Sequence, residues 1–298
     1  MNWQGVIPAI TTPFKPDLSV DADLLVKQVE ALVRAGCGGI VALGSLGEGG
    51  SLSFDEKKAV LRLCKEALAG RASLVAAVAA LTTAEAERLA ELGREQGADG
   101  LMVLPPYVYR GDWRETRAHF EAVIAETSLP CMLYNNPVAY GTDVVPEQVL
   151  ELAQALPNLQ AVKESSADVR RVSVLRALAG DRLSVLVGVD DLIVEGIAAG
   201  AVGWIAGLAD ALPEESVRLF DLSMQGKTAE ARALYDWFLP LLKLDTVPKF
   251  VQLIKLVQQE TGLGSEWVRP PRLPLDGPER DAALQLIRNA LARRPPPG

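Results

Sequence analysis

The sequence predicts an α/β fold, a closed (β/α)8 TIM barrel with a C-terminal helical extension. Three observations predict it. Eight short apolar runs recur along 298 residues, their starts 18 to 34 residues apart. Each gap leaves room for one amphipathic helix. The runs are almost continuously apolar, as strands buried on both faces are.

In chain order the runs are VIPAIT (6–11), GIVALG (39–44), SLVAAVA (73–79), GLMVLP (100–105), CMLYNN (131–136), LQAVKES (159–165), LSVLVGV (183–189) and AVGWIAG (201–207). The first gap, 21–35, sets Leu24, Leu25, Val29, Leu32 and Val33 on one helical face and stops at Gly36. The second, 53–69, opens with Ser53 and Glu56 in capping-box spacing and ends at Gly70. Segments 82–96, 113–127, 146–156, 168–179, 190–199 and 213–225 repeat the theme, most of them closing on a glycine (Gly97, Gly180, Gly200, Gly226). Eight strands alternating with eight helices are the pattern of a closed barrel. An open doubly wound sheet is the competitor. Its G-x-G-x-x-G fingerprint is absent after the first strand, which runs into Thr11-Thr12-Pro13-Phe14. Three more helical segments follow, 228–243, 246–261 and 278–293, with no strands between them. The expected division is therefore a barrel over 1–225 and a helical appendage over 226–298, with the tail from Arg293 to Gly298 frayed.

Composition narrows the function. Apolar residues make up 49% and charged residues 23%, which is ordinary globular usage. A net charge of −8 and a pI near 4.9 argue against nucleic acid. No apolar run approaches the roughly 20 residues a membrane span needs. The opening MNWQGVIPAI shows no signal-peptide pattern. Cys37, Cys64 and Cys131 are few, odd in number and far apart, which predicts reduced thiols and a cytoplasmic protein. The single histidine, His119, reads as a packing residue, so histidine-based triads and metal sites are not expected.

In such barrels the chemistry sits where the strands end. Those ends offer Thr11 and Thr12, the loop Gly44-Ser45-Leu46-Gly47-Glu48, Tyr107, Tyr134-Asn135-Asn136, Lys163-Glu164-Ser165 and Asp190-Asp191. Lys163 stands out because it lies inside an apolar strand. Alternation puts Ala161, Lys163 and Ser165 on one face and Val162 and Glu164 on the other. Small neighbours leave space around the amine, and desolvation lowers its pKa. A neutral lysine attacks carbonyls and forms Schiff bases; the competing reading is a structural ion pair. Tyr134, at the end of the neighbouring strand, can shuttle protons or simply be a rim aromatic. The glycine-rich loop after the second strand can hold a carboxylate on its N–H groups, helped by Ser45. It is not a P-loop, since no Gly-Lys-Ser/Thr follows. Asp190 and Asp191 are expected to cap the helix that follows them.

Taken jointly, Gly44-Ser45-x-Gly47-Glu48, Tyr134-Asn135-x-Pro137 and Val162-Lys163-Glu164 resemble the dihydrodipicolinate synthase / N-acetylneuraminate lyase superfamily. The likeness runs from Pro8-Ala9-x-Thr11-Thr12-Pro13-Phe14 to Arg272-Leu273-Pro274-Leu275. The resemblance implies class I chemistry, a lysine imine with a 2-oxo acid, without metal or cofactor, usually in a homotetramer. By that likeness Lys163 matches the imine lysine, Tyr134 the acid–base tyrosine and Ser45 the first hydroxyl of the loop. The substrate-binding set expected beside them is Thr11, Leu46, Gly47, Tyr107, Asn136, Tyr140, Gly188 and Ile205.

Three departures bear on substrate. The loop's second hydroxyl residue is Leu46. A second tyrosine, which in the synthases reaches a neighbouring subunit's site, is Val108. The synthases' arginine after the Tyr-Asn-x-Pro motif is Ala139, followed by Tyr140, and a lost bidentate carboxylate partner is not a conservative change. These departures point to the family's dehydratase and deaminase members, and to 1-pyrroline-4-hydroxy-2-carboxylate deaminase in particular. Asn136 and Tyr140 would then bind the leaving hydroxyl. A 2-keto-3-deoxy sugar-acid dehydratase or aldolase, dihydrodipicolinate synthase itself, and a non-catalytic oxo-acid-binding barrel are the alternatives. A phosphate-binding isomerase finds only weak support in the strand exit Ala206-Gly207-Leu208-Ala209-Asp210.

Overall fold

The computed structural model describes residues 1–296. Eight parallel strands form one sheet: β1 (Gly5–Val6), β2 (Gly39–Ala42), β3 (Ser73–Val78), β4 (Gly100–Val103), β5 (Cys131–Asn135), β6 (Leu159–Glu164), β7 (Ser184–Val187) and β8 (Gly203–Trp204). Their order, β1-β8-β7-β6-β5-β4-β3-β2, leaves only the β1–β2 seam to close. The backbone closes it: Val41 N–H donates to Pro8 O at 2.7 Å and Ile10 N–H to Val41 O at 2.9 Å. The chain is thus a (β/α)8 barrel.

β1 and β8 are shorter than the expected 6–11 and 201–207. Pro8 has no N–H to give to the ladder, although Ile7 and Ala9 still donate to Trp204 O and Ala206 O. On the other strand, Gly207 N–H leaves the ladder for the Asp190 carboxylate.

Around the barrel lie α1 (Ala22–Arg34), α2 (Phe54–Leu68), α3 (Thr83–Glu95), α4 (Trp113–Ala125), a short α5 (Pro137–Tyr140), α6 (Pro146–Ala155), α7 (Arg170–Ala179), α8 (Ile193–Ala198) and α9 (Pro213–Met224). The capping box expected at Ser53 and Glu56 is formed at the start of α2. Gly36, Gly70, Gly97 and Gly200 take positive φ where helices end, the conformation that favours glycine. The turn α5 was not anticipated. Asn136 starts it by accepting from Ala139 N–H, and Pro137 occupies its first position.

After the barrel come α10 (Thr228–Leu242), α11 (Phe250–Thr261) and α12 (Gly277–Leu291). The middle helix starts at Phe250, not 246. Residues Lys243–Thr246 form a 3-10 turn instead, and Pro248 disfavours helical backbone in Val247 before it. The tail is held further than expected: Arg294 pairs with Glu215, and Arg218 donates to Pro296 O at 2.9 Å. Pro297 and Gly298, also expected to fray, lie outside the described residues.

The C-terminal helices are tied to the barrel mouth by one buried ion pair. Lys255 of α11 donates to Glu48 Oε1 at 2.6 Å and to Trp267 O at 2.7 Å, and the side chains of Lys255 and Glu48 are 1% and 0% exposed. Arg269 N–H takes the other Glu48 oxygen at 3.0 Å. The Lys255 ammonium also lies 4.3 Å from the centre of the Phe14 ring. Burial pulls the Lys255 amine down to about 8, against the pull of Glu48. Lys255→Ala leaves the Glu48 carboxylate stranded. Urea unfolding should show a loss of about 3–5 kcal/mol; a loss under about 1 kcal/mol would mean that the pair contributes no more than a surface contact.

Candidate active site

The register of β5 and β6 builds the centre of the site. Tyr134 pairs with Lys163 across the parallel ladder, so both side chains leave the sheet on the same face. Lys163 Nζ lies 4.0 Å from the centre of the Tyr134 ring. Both residues are buried, at 7% and 6% exposure. The alternation expected of β6 holds. Glu164 points the other way, where its carboxylate accepts from Asn135 Nδ2 at 3.1 Å and Ser166 N–H at 2.7 Å.

Lys163 therefore has no carboxylate in salt-bridge contact among the described residues, unlike Lys255. Desolvation lowers its pKa; the charges of Tyr140, Asp245 and Asp190 oppose that shift. The structural ion pair that the sequence left open is made by a different lysine.

Three hydroxyls gather beside the amine. Tyr140, at the end of α5, hydrogen-bonds Ser45 from the loop after β2. Its ring meets that of Tyr134 edge to face at 5.7 Å and that of Tyr107 at 6.1 Å. Asn136 Nδ2 donates to the Tyr134 oxygen at 3.0 Å while its Oδ1 caps α5. Asn136 thus orients Tyr134 and starts the turn that delivers Tyr140. Burial raises both phenols, Tyr134 against its bond from Asn136 and Tyr140 against its bond with Ser45.

The remaining expected residues divide. Gly188 faces the amine closely: a Cβ added there would lie 2.5 Å from Lys163 Cε. Ile205 is buried at the β8 exit, 1% exposed. Leu46 turns into the hydrophobic core. Gly47 accommodates a close backbone crossing, 2.8 Å from an added Cβ to Ile10 O, and its carbonyl accepts from Thr12. Thr11 is engaged within the fold. Its hydroxyl donates to Gln258 Oε1 at 2.8 Å and its N–H to Asp210 Oδ2 at 2.8 Å, so it fastens α11 to the barrel instead of facing Lys163.

Asp190 is also corrected. It does not cap the helix after it. Fully buried, its carboxylate accepts from Trp204 Nε1 at 2.9 Å, from Gly207 N–H and from Leu208 N–H at 2.7 Å. Burial raises it to about 6 despite those donors and the nearby Lys163. The sequence reading missed Asp245, whose charge acts on Lys163 and Tyr134. It lies between two amphipathic helices and far from any strand end, so strand-end bookkeeping passes over it. Its one signal is an acid directly after the apolar pattern of LLKL.

His119 packs as expected, 3.0 Å from Thr83 Oγ1. The three cysteines are buried, their thiols pushed up to about 12 chiefly by desolvation. Among the described residues no three His, Cys, Asp or Glu side chains gather as a metal site, and no helix is long and apolar enough to cross a membrane.

A sheltered amine beside a hydrogen-bonded chain of hydroxyls at the mouth of a (β/α)8 barrel is equipped for carbonyl chemistry through an imine. The comparisons agree with that class. The sequence model of the dihydrodipicolinate synthetase family matches residues 2–290, and the chain belongs to that family. It is accordingly an enzyme, a lyase of the class I type. It is 35% identical to the 4-hydroxy-tetrahydrodipicolinate synthase of Xanthomonas axonopodis pv. citri, over 98% of this chain and 96% of that one. The solved 4-hydroxy-tetrahydrodipicolinate synthase of Methylacidiphilum fumariolicum SolV superposes with a TM-score of 0.92 at 30% identity, covering 98% of each chain. A prophage protein of the dihydrodipicolinic acid synthase family from E. coli K12, solved with pyruvate, does so with a TM-score of 0.91 at 28% identity, covering 97% of this chain and 98% of its own.

Gly188→Ala forces a methyl against Lys163 and Ser165. Borohydride trapping of pyruvate should slow by about tenfold or more while the circular-dichroism spectrum is kept. An unchanged trapping rate would mean that the amine does not work from this position.

Proposed function

We propose that this protein forms an imine between Lys163 and a small 2-oxo acid and uses Tyr134, Tyr140 and Ser45 as its proton relay. The observation that carries the reading is the unpaired, desolvated Lys163 amine lying against the Tyr134 ring. Attack of the neutral amine on the keto carbon gives a carbinolamine, whose hydroxyl leaves as water once it is protonated. Tyr134 stands where it can deliver that proton, and Tyr140 and Ser45 can replace it along the chain. The glycine-rich loop after β2 is the candidate to hold the substrate carboxylate on its N–H groups.

Within this class, the names of the relatives favour 4-hydroxy-tetrahydrodipicolinate synthase over the deaminase expected from the sequence. Two spatial compensations support the synthase reading. Tyr140 brings a second phenol to the relay from the same chain, although Val108 is not a tyrosine. The Arg110 guanidinium lies over Gly141, two residues beyond Ala139, and so returns a cation to the mouth. The second reading, 1-pyrroline-4-hydroxy-2-carboxylate deaminase, draws on Asn136 and Tyr140 at the face a leaving hydroxyl would meet. Assembly as a homotetramer belongs to the same proposal. Apolar side chains exposed on the loops after β4 and β5, Val108, Tyr109 and Val138, offer surface for it.

Borohydride reduction in the presence of pyruvate should add one reduced pyruvate to Lys163, seen by peptide mass spectrometry, and Lys163→Ala should abolish it. An adduct on Lys249 or Lys255 would overturn the assignment. A lowered amine pKa means that the neutral form appears at lower pH. The trapping rate should therefore rise with pH through a midpoint below that of a free lysine side chain; a midpoint at the free value would contradict the desolvated site. Condensation of pyruvate with aspartate semialdehyde, assayed beside ammonia release from 1-pyrroline-4-hydroxy-2-carboxylate, separates the two finer readings. The active assay identifies the reaction.

A further inference from the structure

Asp245 is a carboxylate that the barrel does not supply. It sits in the turn Lys243–Thr246, which packs against residues Asp190–Leu192 at the β7 exit. Its carboxyl group lies over Gly207 at the β8 exit; a Cβ added to Gly207 would sit 2.5 Å from Asp245 Cγ. Only a glycine there lets the acid reach this position. Asp245 is half-buried, and no hydrogen-bond donor among the described residues reaches its oxygens.

The groups acting on it are Asp190, Lys163, Asp210 and Asp191. Burial and the neighbouring acids push its carboxyl well above the usual carboxylate range, and Lys163 alone among these pulls it back. Ser165, on the Lys163 face of β6 and 3% exposed, is a neighbouring hydroxyl that acts on the Tyr134 phenol. Asp245 is thus an unengaged carboxyl within reach of the Lys163 charge, and Lys163 is the one cation that acts on it.

We infer that Asp245, delivered by the C-terminal segment, meets the far end of the bound oxo acid and selects a hydroxyl or an amine there over a second carboxylate. This rests on the reading that Lys163 forms the imine. A hydroxyl or protonated amine gives the unengaged carboxyl a donor. A carboxylate brings no donor. Burial already holds the Asp245, Asp190 and Asp210 carboxyls up; a further negative charge beside them raises them more, and Lys163 is the one cation that acts on Asp245, so the juxtaposition is costly.

The test uses two five-carbon acids that differ only at the far end, 2-oxoglutarate and 2-oxopentanoate, with pyruvate as the reference. For each, the concentration giving half-maximal borohydride trapping on Lys163 is measured in the full-length protein. In the unaltered protein 2-oxoglutarate should need a concentration at least about tenfold higher than 2-oxopentanoate. In Asp245→Asn that ratio should fall to within about threefold, through a gain for 2-oxoglutarate. Asp245→Ser, measured alongside, should show the same fall and covers the case in which the amide does not fold. A ratio unchanged in the folded variants overturns the role of Asp245 and leaves the imine reading standing. Failure of all three acids to label Lys163 in the unaltered protein overturns the imine reading itself.

Discussion

The constraint on which the site depends is the burial of two lysines in opposite electrostatic settings. Lys255 is fully enclosed and keeps a carboxylate at hydrogen-bond distance, a backbone carbonyl and the Phe14 ring. Lys163 is almost as enclosed and has no such carboxylate partner. Desolvation opposes charge at both. At Lys255 the cost is offset by Glu48, and the result is a strut. At Lys163 it is not offset by direct pairing, and the amine proposed to form the imine is left with a lowered pKa. The strut serves the amine. Glu48 ends the loop that carries Ser45, and Lys255 fixes that end to α11.

The backbone of that loop shows what the strut withstands. Leu43 and Glu48 have φ of +66° and +51°, a conformation that costs a non-glycine residue of order 1–3 kcal/mol. The charge-assisted bonds on both Glu48 oxygens hold one of these residues in place. The bend between them turns Ser45 toward Tyr140. Local strain at the loop is thus supported from a helix more than two hundred residues away in sequence.

The sequence carried the barrel because its signals were local. Apolar runs, helical periodicity and glycine stops each act within one element, and alternation along β6 put Lys163 and Glu164 on opposite faces, whereas the pairing of Tyr134 with Lys163 came only with the register of β5 on β6. Other features depended on which strand ends face one another. Asp190 read as a helix cap because it stands before a helix, yet its oxygens turn back to Trp204, Gly207 and Leu208. Thr11 read as a ligand group because it ends a strand, yet Gln258 engages its hydroxyl. Asp245 comes from a segment with no strand-end signature, and Arg110 from late in the loop after β4. Tyr140 was noticed for its place in the motif, while its bond to Ser45 required the folded loops. No periodicity reports such long-range meetings.

The short turn Lys243–Thr246 has a wider consequence. It belongs to the segment that follows the last barrel helix, and it inserts a side chain into the mouth that the eight strands frame. The lysine proposed as the imine-forming group and the acid proposed to meet its substrate are therefore encoded on separable stretches of the gene. New specificities can arise by altering the trailing stretch alone, while the strands that hold the lysine stay as they are. A fragment ending with α9 would lose Asp245 along with the Lys255 clamp on the glycine-rich loop.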